Sequence, residues 1–228
     1  MSEPVAMILP LPVKRGTREN AVTFISLKQY LRFFYELDRL FEPPPPPPKI
    51  LRDRSGIVAL GDLEVVSVGD FEASFVPTIA DFERLDPRFR MPEGAFDDLP
   101  EYADYGFAVF QLSPTPSHHG KPHAMAFSFP TRDETRLFYP TVHIHDGTVH
   151  ATERFDHKLY AQWRGGTGGL LRRIFVPSPW KKSHTATKKH VQIDYTQGIV
   201  DEKLRVHRCK LNGKLPNRDT WLSPADLT

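Results

Sequence analysis

Cysteine is nearly absent from this chain: Cys209 is the only one in 228 residues. A single thiol cannot close an internal disulfide or build a thiolate metal cage, which points to a reducing compartment and away from zinc-finger chemistry. Long apolar runs are also missing. No stretch approaches the roughly 20 apolar residues that span a bilayer, and the apolar opening at Val5 to Val13 is broken by prolines with no basic region before it, unlike a signal peptide. These absences place the protein in the cytoplasm, with no membrane partner. Signature motifs are scarce as well. There is no G-x-S-x-G elbow, no Walker A loop and no dinucleotide fingerprint, so a nucleophile elbow, a P-loop and a Rossmann unit are all without support. We find neither an internal repeat nor a heptad array.

What is present is ordinary globular material, with 39% hydrophobic and 25% charged residues. The length suits one core domain with an appendage. The small net charge of +2 hides an asymmetry. Residues 165–228 carry twelve Lys and Arg against five Asp and Glu, a net of +7, which leaves 1–164 with eighteen against twenty-three, a net of −5. We therefore expect a core over 1–164 and a basic C-terminal extension over 165–228, packed on the core or turned toward an anionic partner.

Along the chain, Ala6 to Val13 reads as a short strand, limited by Pro10 and Pro12. Ser26 with Gln29 forms a capping-box start, and Leu27, Tyr30, Leu31, Phe34, Leu37 and Phe41 recur at helical spacing. Pro43 to Pro48 end that helix and read as a stiff polyproline spacer, the alternative being a docking ligand for an aromatic groove. From Leu63 the period changes to two. Gly69-Asp70 fits a tight turn joining two strands whose Val66, Val68, Phe71, Ala73 and Phe75 share a core face. Thr78 and Asp81 start a short helix, and Pro87 to Tyr105 suggests further helical turns. Phe107 to Leu112 and His123 to Phe129 read as neighbouring antiparallel strands. Leu137 to His145 turns at Asp146-Gly147 and returns through Thr148 to Thr152. The expected fold class is α+β, a mostly antiparallel sheet with flanking helices.

Several of these segments, read together, resemble an uncharacterised bacterial family described only as a domain of unknown function. The resemblance lies in Met7-Ile8-Leu9-Pro10-Leu11-Pro12, in Val68-Gly69-Asp70-Phe71-Glu72 within Leu63 to Val76, and in Met91-Pro92, Tyr102 and Gly106 before Phe107 to Leu112. It ends at Phe129-Pro130 and Tyr139-Pro140, covering roughly Ala6 to His150. It implies a fold and transfers no catalytic residue.

Candidate chemistry begins with Thr141 to His150. If Asp146-Gly147 makes a two-residue turn, His145 pairs with Thr148 and His143 lies opposite His150, so three imidazoles share one face. Val142, Ile144, Val149 and Ala151 take the other, buried face. His143 and His150, with His145 as a weaker third, could then bind zinc or another divalent ion, with Asp146 or Asp156 in support. The plainer reading makes them the polar side of an alternating hairpin, and no cofactor is expected on it. His118, His119 and His123 form a second group in a Pro/Gly-rich loop, and Glu153 with Asp156-His157 could orient a base. Gly165 to Gly169 reads as a hinge. Lys181, Lys182, Lys188, Lys189, Arg205 and Arg208, near Trp180 and Tyr195, fit a polyanion contact, or else two strands, Val191 to Tyr195 and Lys203 to Leu211, whose charges face water or the acidic body. The function expected is a non-enzymatic binding or structural module for a protein or polyanionic partner. A metal-dependent hydrolase using the 141–150 histidines is the alternative.

Overall fold

A computed structural model describes residues 6–43, 67–68, 70–86, 94, 99–112, 123–144, 149–164 and 178–227. Antiparallel pairing organises all of its sheets. The first sheet has the order β1-β5-β4-β3, formed by β1 (Ala6–Leu11), β3 (Ser67–Val68), β4 (Phe71–Val76) and β5 (Gly106–Leu112). Val68 pairs with Phe71, and Phe71 with Leu112, so the expected hairpin around residues 69–70 is present. Phe107, Ala108 and Val109 on the central β5 are fully buried. Phe75, Ala108 and Phe110 pack against Leu11, Val13 and Val22 on one side, while Phe107 and Val109 pack against Val76, Leu99 and Tyr102 on the other. Alternation along β5 thus feeds two cores from one strand.

A three-stranded sheet has the order β8-β10-β9, from β8 (Thr152–Ala161), β9 (Lys181–Ala186) and β10 (Arg205–Pro216). Its long ladder runs from His207 opposite Ala161 to Pro216 opposite Thr152. The basic extension expected to lie against the core therefore supplies the central strand of a sheet. Two short pairs complete the fold: β2 (Thr23–Ser26) with β6 (Met125–Ser128), and β7 (Leu137–Tyr139) with β11 (Thr220–Leu222).

Four expectations need correction. The strands around residues 107–112 and 123–129 are not neighbours, since β5 lies between β1 and β4 while β6 pairs with β2. Residues 141–144 do not pair as a hairpin strand. Instead the Asn217 amide bridges them, its Oδ1 accepting from the His143 N–H at 2.8 Å and its Nδ2 donating to the His143 carbonyl at 2.9 Å. Asp219 Oδ1 likewise accepts from the N–H of Thr141 at 2.8 Å and of Val142 at 3.2 Å. Side chains do here what a partner strand would otherwise do. Flanking helices are a small part of the described fold: α1 spans only Phe33–Arg39, and the other helical pieces are 3-10 turns such as Ile79–Arg84 and Ile193–Thr196. Over residues 191–195 a strand was expected where that last turn forms.

Candidate binding surface

Helix α1 sets the site. Its buried side is Phe33, Glu36 and Leu37, continued by Leu40, and this spacing seats one stripe on a core that includes Leu27, Tyr30, Val191 and Val206. The opposite side leaves Phe34 and Tyr35 more than half exposed, an unusual display for two aromatics. The carboxylate of Glu36 is buried, and the Tyr30 hydroxyl donates to it, as does Gln192 Nε2 at 3.2 Å. Tyr30 in turn accepts from the Gln192 N–H at 2.7 Å. Burial, reinforced by the bond to Glu36, pushes the Tyr30 phenol up.

Beyond the 3-10 turn at Ile193–Thr196, Gln197 and Gly198 adopt left-handed φ of 51° and 77°. Two such residues in succession reverse the chain and bring Ile199 and Val200 to face α1. Between these elements and β8 lies a cavity of about 380 Å³, walled by Phe33, Phe34, Leu37, Tyr139, Leu159 and Ile199. That volume lies within the roughly 300–1,000 Å³ range of ligand pockets.

The polar groups at the rim are already engaged. Gln162 Nε2 donates to Thr187 Oγ1 at 2.6 Å and to the Asp201 carbonyl at 2.9 Å, while its Oε1 accepts from the Asp201 N–H at 2.8 Å. Tyr139 donates to the Tyr160 carbonyl at 2.8 Å, and burial pushes its phenol up. Lys158 is paired with Asp38. Asp38 also accepts from the Tyr160 hydroxyl and from Arg208 Nη1, both at 2.7 Å. Burial pushes the Asp38 carboxyl up, but the bonds from Lys158, Tyr160 and Arg208 outweigh it and hold the group below its ordinary range. With these polar atoms answered inside the protein, the cavity presents apolar walls and suits an apolar side chain. Its lining among the described residues contains no Ser, Thr or Cys.

Of the histidines expected to act together, His143 and His150 are among the described residues. His143 stacks on Phe155, with centroids 4.6 Å apart, and lies 4.8 Å from His157. His150 is exposed, and His145 and Asp146 lie outside the described residues, as do His118, His119 and Gly165 to Gly169. Among the described residues no group of three or more His, Cys, Asp or Glu is placed to hold a metal. His123 is buried with both nitrogens in use: Nε2 accepts from the Asp70 N–H at 2.9 Å, and Nδ1 faces the Ala124 carbonyl at 2.6 Å. That pattern belongs to a neutral ring fixed as one tautomer. Cys209 is buried, which pushes its thiol up.

Of the expected polyanion contacts, Arg208 and Lys181 are paired across β10 and β9 and share a face. Lys182 sits opposite His207, where burial and the Lys182 charge lower the imidazole's proton affinity. Arg205 lies beyond an irregularity in the β10-β9 register, and Lys188 and Lys189 form an exposed 3-10 turn. These six cations therefore do not form one row. The cavity was missed because its walls come from four separate segments; the only local hint was a Phe34-Tyr35 pair facing away from the buried stripe.

No family model matches the sequence, and no curated protein does. Among solved structures the chain is similar to the crystal structure of the caspase-8/p35 complex, at 14% identity and a TM-score of 0.41 over 99% of this chain and 87% of that one. It is also similar to a mutated baculovirus P35 after caspase cleavage, at 15% identity and a TM-score of 0.42 over 98% of this chain and 87% of that one. Likeness at this level carries no argument about fold or function. No helix among the described residues is long and apolar enough to cross a membrane.

Proposed function

We propose that this protein is a non-catalytic binding module that seats a bulky apolar side chain of a protein partner in the cavity between α1, β8 and residues 199–200. The observation that carries it is the join of a concave apolar cavity to exposed Phe34 and Ile199 at its mouth, with the rim's polar atoms already satisfied. Aromatic residues around a pocket of this kind are what anchors a protein interface, since one buried anchor supplies much of its binding energy. Tyr139, Tyr160, Lys158 and Gln162 in its lining are bonded within the protein, so the cavity suits an apolar group better than a small polar substrate.

The test places a photo-crosslinking side chain at Ile199 or Phe34 and, as a control, at exposed Lys188. A discrete adduct from 199 and 34, absent from 188 and abolished by filling the cavity with Val200→Trp, is the expected result. Adducts of the same pattern from all three positions would remove the proposal. So would stoichiometric metal in untagged protein that is lost on changing His143 and His150 to Ala, since that result would favour the hydrolase alternative.

A further inference from the structure

The register of the β8-β10 ladder creates a feature that neither strand shows alone. Arg154 lies opposite Lys214, Lys158 opposite Lys210, and Tyr160 opposite Arg208, which is itself opposite Lys181 on β9. Paired residues project to the same side of a sheet, so six cations line one face in successive rungs. Arg154, Lys158, Lys181, Lys210 and Lys214 are exposed. The rungs at 154 and 158 stand about 13 Å apart, at ~3.3 Å per residue.

Like charges directly across a ladder oppose pairing. Charged side chains on β8 are explained by its place at the sheet edge, where they discourage association with other strands. Lys210 and Lys214 lie on the part of β10 that pairs with β8 alone, beyond the last β9 pairing at Arg208, so an edge accounts for a charge on either strand but not for like charges set directly opposite one another. Asp38 answers Lys158 and Arg208. Arg154, Lys181, Lys210 and Lys214 pair with no carboxylate among the described residues, and Asp156 is the one acidic side chain within the ladder's outward face.

We propose that this outward face binds single-stranded nucleic acid, with phosphates laid along the Arg154/Lys214 and Lys158/Lys210 rungs. The charge has the sign that displaces counterions from phosphates. The strip is narrow, little more than two strands wide, which fits one backbone better than a flat anionic membrane. Between the cationic rungs, Asp156 and Asn212 face each other, and such groups hydrogen-bond base edges. At the end nearest α1, Phe34 packs on Tyr160 at 6.2 Å and remains half exposed, so a base can stack on it. This site adjoins the apolar cavity and shares Phe34, Lys158 and Tyr160 with its lining, while the Arg154, Lys210 and Lys214 positions lie outside it.

The probe is a fluorescein-labelled oligothymidylate of twenty nucleotides, titrated by anisotropy between 50 and 200 mM salt. Four phosphate contacts give a log–log salt slope of about −3, at ~0.7 per contact. The double variant Lys210→Gln with Lys214→Gln should reduce the slope by about 1.4 and weaken binding at low salt about tenfold or more. Lys210→Arg with Lys214→Arg should retain binding. Lys188→Gln with Lys189→Gln should leave it unchanged. Absence of binding at 50 mM salt overturns the proposal. Equal losses from the 210/214 and 188/189 pairs also overturn it, as does ladder-dependent binding to phosphatidylserine vesicles without binding to the oligonucleotide.

Discussion

Replacing Asp38 by Ala should be among the more costly single changes at the sheet surface. The carboxylate accepts from Lys158, Tyr160 and Arg208 and so fixes α1 to β8 and β10 at once. The three bonds are not equal. Lys158 is about half exposed, so its pair is worth ~0–1 kcal/mol. Arg208 is 15% exposed and lies over the Phe41 ring at 4.1 Å, so its charge-assisted bond is worth ~1.5 kcal/mol or more, and the Tyr160 bond adds ~1 kcal/mol. Allowing for the shared acceptor, the loss is about 3 kcal/mol, or roughly 6–12 °C in Tm at ~2–4 °C per kcal/mol for a chain of this size. Asp38→Asn keeps an acceptor and should fall between the two. The pH dependence has a definite sign. Because the folded carboxyl titrates below its ordinary value, its contribution is complete above the unfolded pKa near ~4 and is lost as pH falls through the folded value. Thermal unfolding of wild type and both variants across pH 3 to 8 is the assay. The gap should be flat above about pH 5 and close below about pH 4. A gap under about 1 °C at pH 7, or one that widens in acid, would refute the reasoning.

Asp219 offers the opposite pH sign. Burial pushes its carboxyl up despite bonds from Tyr102, Thr141 and Val142, so its contribution is complete below the unfolded pKa and declines as pH rises through the folded value. Asp219→Ala orphans those three donors and should cost about 3–4 kcal/mol, whereas Asp219→Asn retains the acceptor for the two amides and should stay within about 1 kcal/mol at pH 7 by urea unfolding. Gly106→Ala should cost about 1–3 kcal/mol in the same assay, because a Cβ there would stand 2.7 Å from the Phe75 ring and 3.1 Å from Val13.

Where the fold was legible, the signal was local. Period two and a tight turn were enough for β1, for the β3-β4 hairpin and for much of β10, since each is decided by neighbours in sequence. The helix shows what happens when phase slips. The Leu27 carbonyl accepts from the Tyr30 N–H at 2.8 Å, and the Tyr30 carbonyl accepts from Phe33 at 3.1 Å. These three-residue turns advance the chain differently from an α-helix. A continuous helix from Ser26 puts Leu31 and Phe34 with Leu27 and Tyr30. The real one, starting at Phe33, buries Phe33, Glu36 and Leu37 and turns Leu31 and Phe34 outward. The capping-box serine acts locally, its Oγ accepting from the Lys28 N–H at 3.3 Å. Pairings such as β2 with β6, about a hundred residues apart, leave no periodic trace in either strand.

The same distinction governs the sites. Of the expected apolar side, Val142, Ile144 and Val149 do pack on the core with Val76, Leu99 and Tyr102, whereas Ala151 is exposed. Their imidazole neighbours were placed by assuming a local hairpin, whereas the backbone of 141–143 is held by Asn217 and Asp219, some 75 residues later. Side-chain acceptors that distant have no spacing rule to betray them. The cationic face lay half in view. Arg208, Lys210 and Lys214 alternate with Cys209, Leu211 and Leu215, and Arg154 and Lys158 alternate with Phe155 and Leu159, so each strand by itself reads as one wet and one dry side. Only the register sets Lys214 against Arg154 and Lys210 against Lys158. A slip of two residues would keep every side chain on its proper face and set Lys210 or Lys214 beside Asp156 instead. Period two cannot choose between these alignments; the Leu159–Cys209 and Ala161–His207 contacts on the buried side must do so, and they keep the cations together.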